Sequence, residues 1–435
     1  MRIAIFTDSY VPDKNGVSAS IDQFTKLMAA DGHKIMIFCP KYGLYKDKRY
    51  PNITIKRYAA FKWPTYGDIR IAIPFIGAAV RDLREFGPDL VHVQTPITIG
   101  WIGIWASKIL KIKNIQTYHT YIPDFLSYLN PKLLFGIKKI SSEENASKMS
   151  KLVAGSSLGD DKALFARIKS YFEKDSADKA VKAKKTKKKT KKRINDTFGR
   201  DFTCVVYDRA DLILTPSKAM AKILKQQGVK AKVEVQSNGI DYDFFKKKED
   251  YGVKNHIVHF GRLGHEKSVD VVIRAFSIAQ RTIPELTLDI WGDGPARKVL
   301  QLLVSSLGLN NKIRFYGRYE INKLAGELPK YDFFATASTI ETQGIVILEA
   351  MASGLPVLGV DKFAISEVVH DGENGYISRP FDIEGMAANM VKLLQDDKKL
   401  ERFGQKALEM AKSHEIKKCK EQLLNTYERV VSGRI

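Results

Sequence analysis

The sequence predicts an α/β protein made of two doubly wound halves, and three observations carry that prediction. Short, continuously apolar runs alternate with stretches of helical period, the pattern of buried parallel strands joined by crossover helices. Both halves open alike, with a short strand, a glycine-bearing loop and a helix. Late in the chain, Phe333 to Ser338 and Leu355 to Val360 read as buried strands flanking a loop and a helix that opens near Gly344.

In the first half, Ile3 to Thr7 is a strand, Ser18 to Asp31 a helix and Lys34 to Cys39 a second strand. A helix over Ile76 to Phe86 leads into a strand at Asp89 to Gln94, and strands at Asn114 to His119 and Leu212 to Ser217 follow. Between about Ser141 and Phe202 the pattern loosens into an insertion. Within it Lys162 to Phe172 is amphipathic, and Lys179 to Arg193 has ten basic residues of fifteen and no acid. The polar, lysine-rich Tyr242 to Lys254 reads as a linker. The second series then runs through His256 to Phe260, Leu286 to Trp291, Ile313 to Tyr316, Phe333 to Ser338 and Pro356 to Val360. This reading puts a first domain at 1–245, a second at 255–412 and a terminal helix within 413–435.

At 435 residues the chain is long enough for two to three cored domains, and its 44% hydrophobic content is ordinary for a soluble globular protein. Three scattered cysteines follow no metal or redox spacing and suit a reducing compartment. The greasiest stretch, Ile97 to Leu110, is shorter than the ~20 residues a spanning helix needs, and Met1 to Phe6 is a strand and not a secretory signal. A cytoplasmic protein, peripheral on the inner face of the membrane, is expected. The net charge of +22 owes nearly half its excess to the Lys179 to Arg193 run. Nucleic acid, an anionic membrane and plain solubility all fit such a run.

Four segments carry chemistry. Glu341 and Glu349 flank Gly344, so one carboxylate precedes a helix and the other lies about a turn and a half inside it. A rise of 1.5 Å per residue separates them by about 7–12 Å, too far to share one proton or small metal ion. The amides of Gly344, Ile345 and Val346 open that helix and would face an anion. Two glutamates at this spacing also occur on ordinary surface helices. Arg262 and Lys267 sit in Gly261-Arg-Leu-Gly-His-Glu-Lys-Ser268, a strand-to-helix turn where a guanidinium fork and an ammonium suit a diphosphate. Gly16 allows a close backbone approach in the first loop, and a simple turn glycine reads equally well there. His119 ends a strand. No P-loop, Ser-His-Asp set or zinc spacing occurs, and Asp293 reads as a turn former and not as a metal ligand.

Taken together these strings resemble the retaining GT-B glycosyltransferases of the E-x7-E (group 1) family. That family includes glycogen synthases, sucrose synthases, phosphatidylinositol mannosyltransferases and diacylglycerol glucosyltransferases. The carrying string is Glu341-Thr-Gln-Gly-Ile-Val-Ile-Leu-Glu349, running on to Ala350-Met-Ala-Ser-Gly-Leu-Pro-Val357. The loop at Gly261 is similar to the family's G-R-x3-E-K, Gln116-Thr-Tyr-His-Thr-Tyr121 to its T-x-H-T, and Pro12-Asp-Lys-Asn-Gly-Val17 to its P-x2-G-G-V. Asn15 departs from the first glycine of that last motif, as in the glycolipid-synthase branch.

The resemblance implies two Rossmann-like domains facing across a cleft and a nucleotide-sugar donor. It implies Glu341 on the donor hexose, Glu349 on the ribose, and Arg262 and Lys267 on the diphosphate. Gly16 would lie against the donor phosphate and His119 against the transferred sugar near its anomeric carbon. The expected catalytic set is His119, Glu341, Arg262 and Lys267, without a metal ion or other cofactor.

The motif wording is nearest the diacylglycerol and phosphatidylinositol branch, which implies a UDP-glucose or GDP-mannose donor and a membrane lipid acceptor. Lys56 to Trp63, Pro131 to Lys139 and Lys162 to Phe172 with the 179–193 lysines are candidate contacts with an anionic bilayer. The alternatives are a solvated insertion with a soluble sugar or polysaccharide acceptor, an epimerase of the same fold, and a binding protein on an inactive scaffold. Nucleic acid is not the expected partner.

Overall fold

The apolar runs become strands covered on both faces, which is what a parallel sheet demands. The computed structural model describes residues 1–13, 15–62, 70–73, 75–122 and 199–435. They form two units. The first holds Met1–Pro216, Met220–Gln236 and Leu423–Ile435, and the second Ser217–Ala219 and Ser237–Gln422.

In chain order the first unit has β1 (Arg2–Phe6), α1 (Gly16–Ala30), β2 (Lys34–Pro40), β3 (Ile53–Tyr58), β4 (Ala60–Lys62), β5 (Arg70–Ala72) and α2 (Ile76–Phe86). It continues with β6 (Leu90–Val93), α3 (Ile99–Leu110), β7 (Asn114–Thr117), a helical stretch at 199–207, β8 (Leu212–Thr215), α4 (Lys218–Gln227) and β9 (Val233–Val235). Seven strands form one parallel sheet in the order β3-β2-β1-β6-β7-β8-β9. Phe6 and Phe38 stack at 4.2 Å on the sheet face covered by α3. Helix α3 lies so close to β1 that a Cβ on Gly103 would come within 2.5 Å of the Phe6 ring.

The second unit has β10 (His256–Phe260), α5 (Val269–Thr282), β11 (Thr287–Trp291), α6 (Arg297–Ser306), β12 (Ile313–Gly317), α7 (Ile321–Glu327), β13 (Phe333–Ala335) and α8 (Ile345–Ala352). Then come β14 (Val357–Val360), α9 (Ile365–Val368), β15 (Gly375–Ser378), α10 (Ile383–Leu394), α11 (Asp397–Ser413) and α12 (Ile416–Val431). Its parallel sheet runs β12-β11-β10-β13-β14-β15. Helix α12 begins in this unit, and from Leu423 onward it belongs to the first.

Several expectations are refined. The strands containing His119 and Ser338 stop at Thr117 and Ala335, because the chain turns into loops at the carboxyl edge of each sheet. The stretch from Tyr242 to Lys254 is no free linker. Phe245 and Tyr251 are buried in the second unit's core, and buried Lys248 donates to the Tyr331 carbonyl at 2.6 Å. Residues 199–202 belong to a helix, with Phe202 against Trp101 at 6.1 Å, so the loose region ends before them. Pro131 to Lys139, Lys162 to Phe172 and Lys179 to Arg193 lie outside the described residues. Among the described residues no helix is long and apolar enough to cross a membrane.

Candidate functional site

Each sheet reverses its strand order once, and ligand crevices of open α/β sheets lie at the carboxyl ends of the strands flanking that point. In the second unit the reversal falls between β10 and β13. The loop after β10 carries Arg262 and Lys267; the loop after β13 carries Glu341. The topology thus brings together residues more than seventy positions apart, and Lys267 Nζ donates to Glu341 Oε1 at 2.5 Å. Glu341 is buried and the lysine about one-fifth exposed, so this pair is partly shielded from water. Arg262 is also paired, with the carboxylate of Glu266 in its own loop. Both cations expected to meet a diphosphate therefore have glutamate partners in this structure.

The Gly261 loop is laced to its neighbour. Gly261 donates its amide to the Trp291 carbonyl and Leu263 to the Asp293 carbonyl, both at 2.9 Å. A Cβ on Gly292 would fall 1.9 Å from the Gly261 carbonyl oxygen, so only glycine permits the approach. Asp293 accepts from the Gly294 amide at 2.8 Å and pairs with Arg297 at 3.5 Å, as a turn former does.

Gly344 caps α8 in the left-handed region at φ 80°, and no side chain covers that end. The amides of Gly344, Ile345 and Val346 have no acceptor among the described residues, leaving the positive end of the helix dipole open. Glu349 lies in the second turn of α8, where burial pushes its carboxyl up to about 8. It is therefore a neutral hydrogen-bond donor near pH 7. Tyr319 stands close enough to feel its charge.

The first sheet reverses between β1 and β6. Gly16 is exposed at the first position of α1, and Asn15 caps that helix by accepting from the Ser18 amide at 2.9 Å. The departure from the motif's first glycine thus supplies a cap, and Asn15 also donates to Ser9 Oγ at 2.8 Å. His119 lies two residues beyond β7, is buried, and approaches Gln94 Oε1 through Nε2 at 2.6 Å. A carbonyl oxygen only accepts, so Nε2 carries the proton and Nδ1 keeps a lone pair. That Nδ1 is buried without a partner among the described residues. Burial lowers the His119 pKa to about 4, so the ring is neutral at ordinary pH.

Three residues escape motif reading. Asp8 is a buried carboxylate that fills the amino end of α3, accepting from the amides of Ile97, Thr98 and Ile99 at 2.9, 2.7 and 2.6 Å. Burial raises its pKa while these bonds oppose the rise. Gln94 orients His119. Gln343, buried, accepts from the Asn238 amide at 3.0 Å and donates to Ser237 Oγ at 2.6 Å, which fixes the loop between Glu341 and Gly344. Acidic and amide residues near glycines offered a hint, but their partners lie up to about a hundred residues away. No group of three or more His, Cys, Asp or Glu is placed to hold a metal ion among the described residues.

Comparison with known proteins agrees with this architecture. Residues 241–410 match the family model "Glycosyl transferases group 1", and residues 14–154 match "Glycosyltransferase Family 4". The alpha-monoglucosyldiacylglycerol synthase of Streptococcus pneumoniae is 25% identical, over 85% of this chain and 74% of its own. That of Acholeplasma laidlawii is also 25% identical, over 86% and 84%. The crystal structure of Anabaena HepE in complex with UDP and glucose superposes with a TM-score of 0.66 and 19% identity, covering 98% of this chain and 99% of that one. With two parallel sheets, a loop-and-helix motif at the second switch point and both family models matched, the chain belongs to the group 1 glycosyltransferases and has their GT-B fold.

Proposed function

We propose that this glycosyltransferase is a retaining, metal-independent hexosyltransferase that moves a sugar from a nucleoside-diphosphate sugar to a membrane lipid such as diacylglycerol. The observation that carries the reading is the Lys267–Glu341 pair beside the open amino end of α8. There an ammonium, free amides and a helix dipole lie near a carboxylate able to accept from sugar hydroxyls. Diphosphate oxygens would take Arg262 and Lys267 from their glutamates, which frees Glu341 for the hexose. Glu349, neutral near pH 7, would meet the ribose hydroxyls. His119 offers the Nδ1 lone pair to a hydroxyl of the transferred sugar.

In the reaction the bond from the anomeric carbon to the diphosphate breaks as the acceptor oxygen attacks from the same face. The acceptor proton leaves with the diphosphate. Charge builds on the departing phosphate, and fixed cations and amides stabilise it more in the transition state than in the ground state. UDP in the HepE complex favours a uridine donor, and the two diacylglycerol-glucoside synthases favour a lipid acceptor.

The test is turnover of a nucleotide-sugar panel with mixed lipid extract, analysed by mass, in the presence and absence of EDTA. Arg262→Ala and Glu341→Ala are each expected to abolish most turnover, and EDTA to leave it unchanged. Near-normal activity in both variants would sink the site assignment; activity only with water-soluble acceptors would sink the lipid reading.

A further inference from the structure

A buried chain of polar groups runs through the first unit and ends at His119. His92 stands opposite Ile115 in the parallel register of β6 and β7, so Thr117, two residues further on, shares its face of the sheet. His92 Nε2 lies 2.7 Å from Thr117 Oγ1, and the Gln94 side-chain nitrogen lies 3.2 Å from His92 Nδ1. Gln94 Oε1 in turn meets His119 Nε2 at 2.6 Å. The last member comes from far along the chain. Tyr427 belongs to the part of α12 that lies in the first unit, and its hydroxyl is 2.6 Å from His92 Nδ1. Its ring meets the His92 ring edge-on at 5.6 Å and is fully buried.

Phenylalanine would serve packing alone at 427, since a hydroxyl taken out of water needs a partner to offset its desolvation. What the hydroxyl adds is a direction of proton donation. Burial lowers the His92 pKa to about 3, so the ring is neutral, with one N–H and one lone pair. Burial also keeps the phenol protonated, and a phenol is a better donor than the alkyl hydroxyl of Thr117. Tyr427 therefore donates to Nδ1 of His92, and the Nε2 N–H of His92 donates to Thr117. With Nδ1 an acceptor, Gln94 turns its NH2 group to His92 and its carbonyl to His119. His119 then carries its proton on Nε2. Its Nδ1 is the one nitrogen of the chain left without a partner among the described residues.

Without the phenol the order can reverse. His92 would carry its proton on Nδ1 and accept from Thr117 at Nε2. Gln94 would turn its carbonyl to His92, and His119 would accept at Nε2 and present an N–H at Nδ1. We infer that Tyr427 is a positioning residue, which through His92 and Gln94 keeps the Nδ1 lone pair of His119 open for a substrate hydroxyl. The inference rests on the reading of His119 as a contact of the transferred sugar.

The experiment compares the full chain with its Tyr427→Phe variant and with Tyr207→Phe as a matched control. Tyr207 is another buried phenol of the same unit, and it donates to the Thr117 carbonyl at 3.3 Å. Heteronuclear NMR of histidines labelled at the ring nitrogens reads the His119 tautomer, assigned as the signal that His119→Gln removes. Turnover is measured with UDP-glucose and GDP-mannose in the presence of mixed lipid extract. Wild type should show His119 protonated at Nε2. Tyr427→Phe should move the proton wholly or partly to Nδ1 and lower kcat/KM about tenfold. Tyr207→Phe should lose comparable stability and change neither. A wild-type ring protonated at Nδ1, or a tautomer unchanged in Tyr427→Phe, overturns the inference. So does an equal loss of turnover in Tyr207→Phe, or full turnover in Tyr427→Phe where His119→Gln has lost it. If the tautomer moves in Tyr427→Phe but His119→Gln turns over normally, Tyr427 still sets the ring, and it is the place of His119 in the reaction that falls.

Discussion

Lys267 and Glu341, 74 positions apart, meet at 2.5 Å where the second sheet reverses its strand order. The pair sets a cation and a carboxylate side by side, each charge compensated by the other. Lys267→Ala and Glu341→Gln are each expected to lower kcat/KM for the nucleotide-sugar roughly 100–1,000-fold, the scale of losing one transition-state contact. The double variant should be little worse than either single one, because groups acting as a unit are not additive. Steady-state kinetics on the three variants checks this; multiplicative losses would mean the residues act independently.

Glu349 gives a pH-dependent stability of defined sign. Its carboxyl is raised to about 8 in the fold. The unfolded chain gives up that proton above its ordinary value near 4.5, whereas the folded chain keeps it, so stability falls as pH rises between those values. Glu349→Gln removes the penalty. At pH 8 the variant should be more stable than wild type by about 4 kcal/mol, and the gap should close towards pH 4.5. Thermal unfolding at the two pH values reads it directly.

Buried neutral histidines act in the opposite direction. Burial lowers His92 to about 3 and His119 and His259 to about 4. Below pH 6.5 the unfolded chain takes up protons that these rings refuse, so stability is lost as pH falls towards 4. Each site should account for about 2 kcal/mol between pH 6.5 and 5. Urea midpoints should drop steeply over that range in wild type and less so in His119→Gln.

Asp8 should be indispensable to the first unit. Its carboxylate accepts from three successive amides at the start of α3 and from the hydroxyls of Thr95 and Thr98 at 3.0 and 2.8 Å. Asp8→Ala leaves those buried donors without an acceptor and should cost about 3 kcal/mol or more. A urea midpoint within error of wild type would contradict this role.

Much of the second unit's candidate site is legible in the chain because its signals are local. Glu341, Gly344 and Glu349 lie within nine residues, and Arg262 and Lys267 within six, so glycine turns and helix period suffice to place them relative to one another. The strand ends are less legible. Nothing near His119 announces that the strand stops at Thr117, since the next residues are as apolar and aromatic as those within it. The segment Tyr242 to Lys254 misleads for the opposite reason: its lysines look solvated, yet Lys248 has a buried carbonyl to satisfy it.

By itself the sequence determined the α/β class, the two series of strands and helices, and the residue types of the loops that carry the candidate site. These follow from alternation, turn glycines and short-range spacing, which the chain writes along its length. Only the tertiary structure decided which charges are paired, that Lys267 answers Glu341 and Glu266 answers Arg262. It alone showed Gln94 turning His119 to a defined tautomer, Asp8 filling the end of α3, and Tyr427 bonded to His92. The physical reason is common to all of these. Pairing, burial and strand register depend on which distant segments the sheet order brings side by side, and periodicity along one segment does not encode its partner.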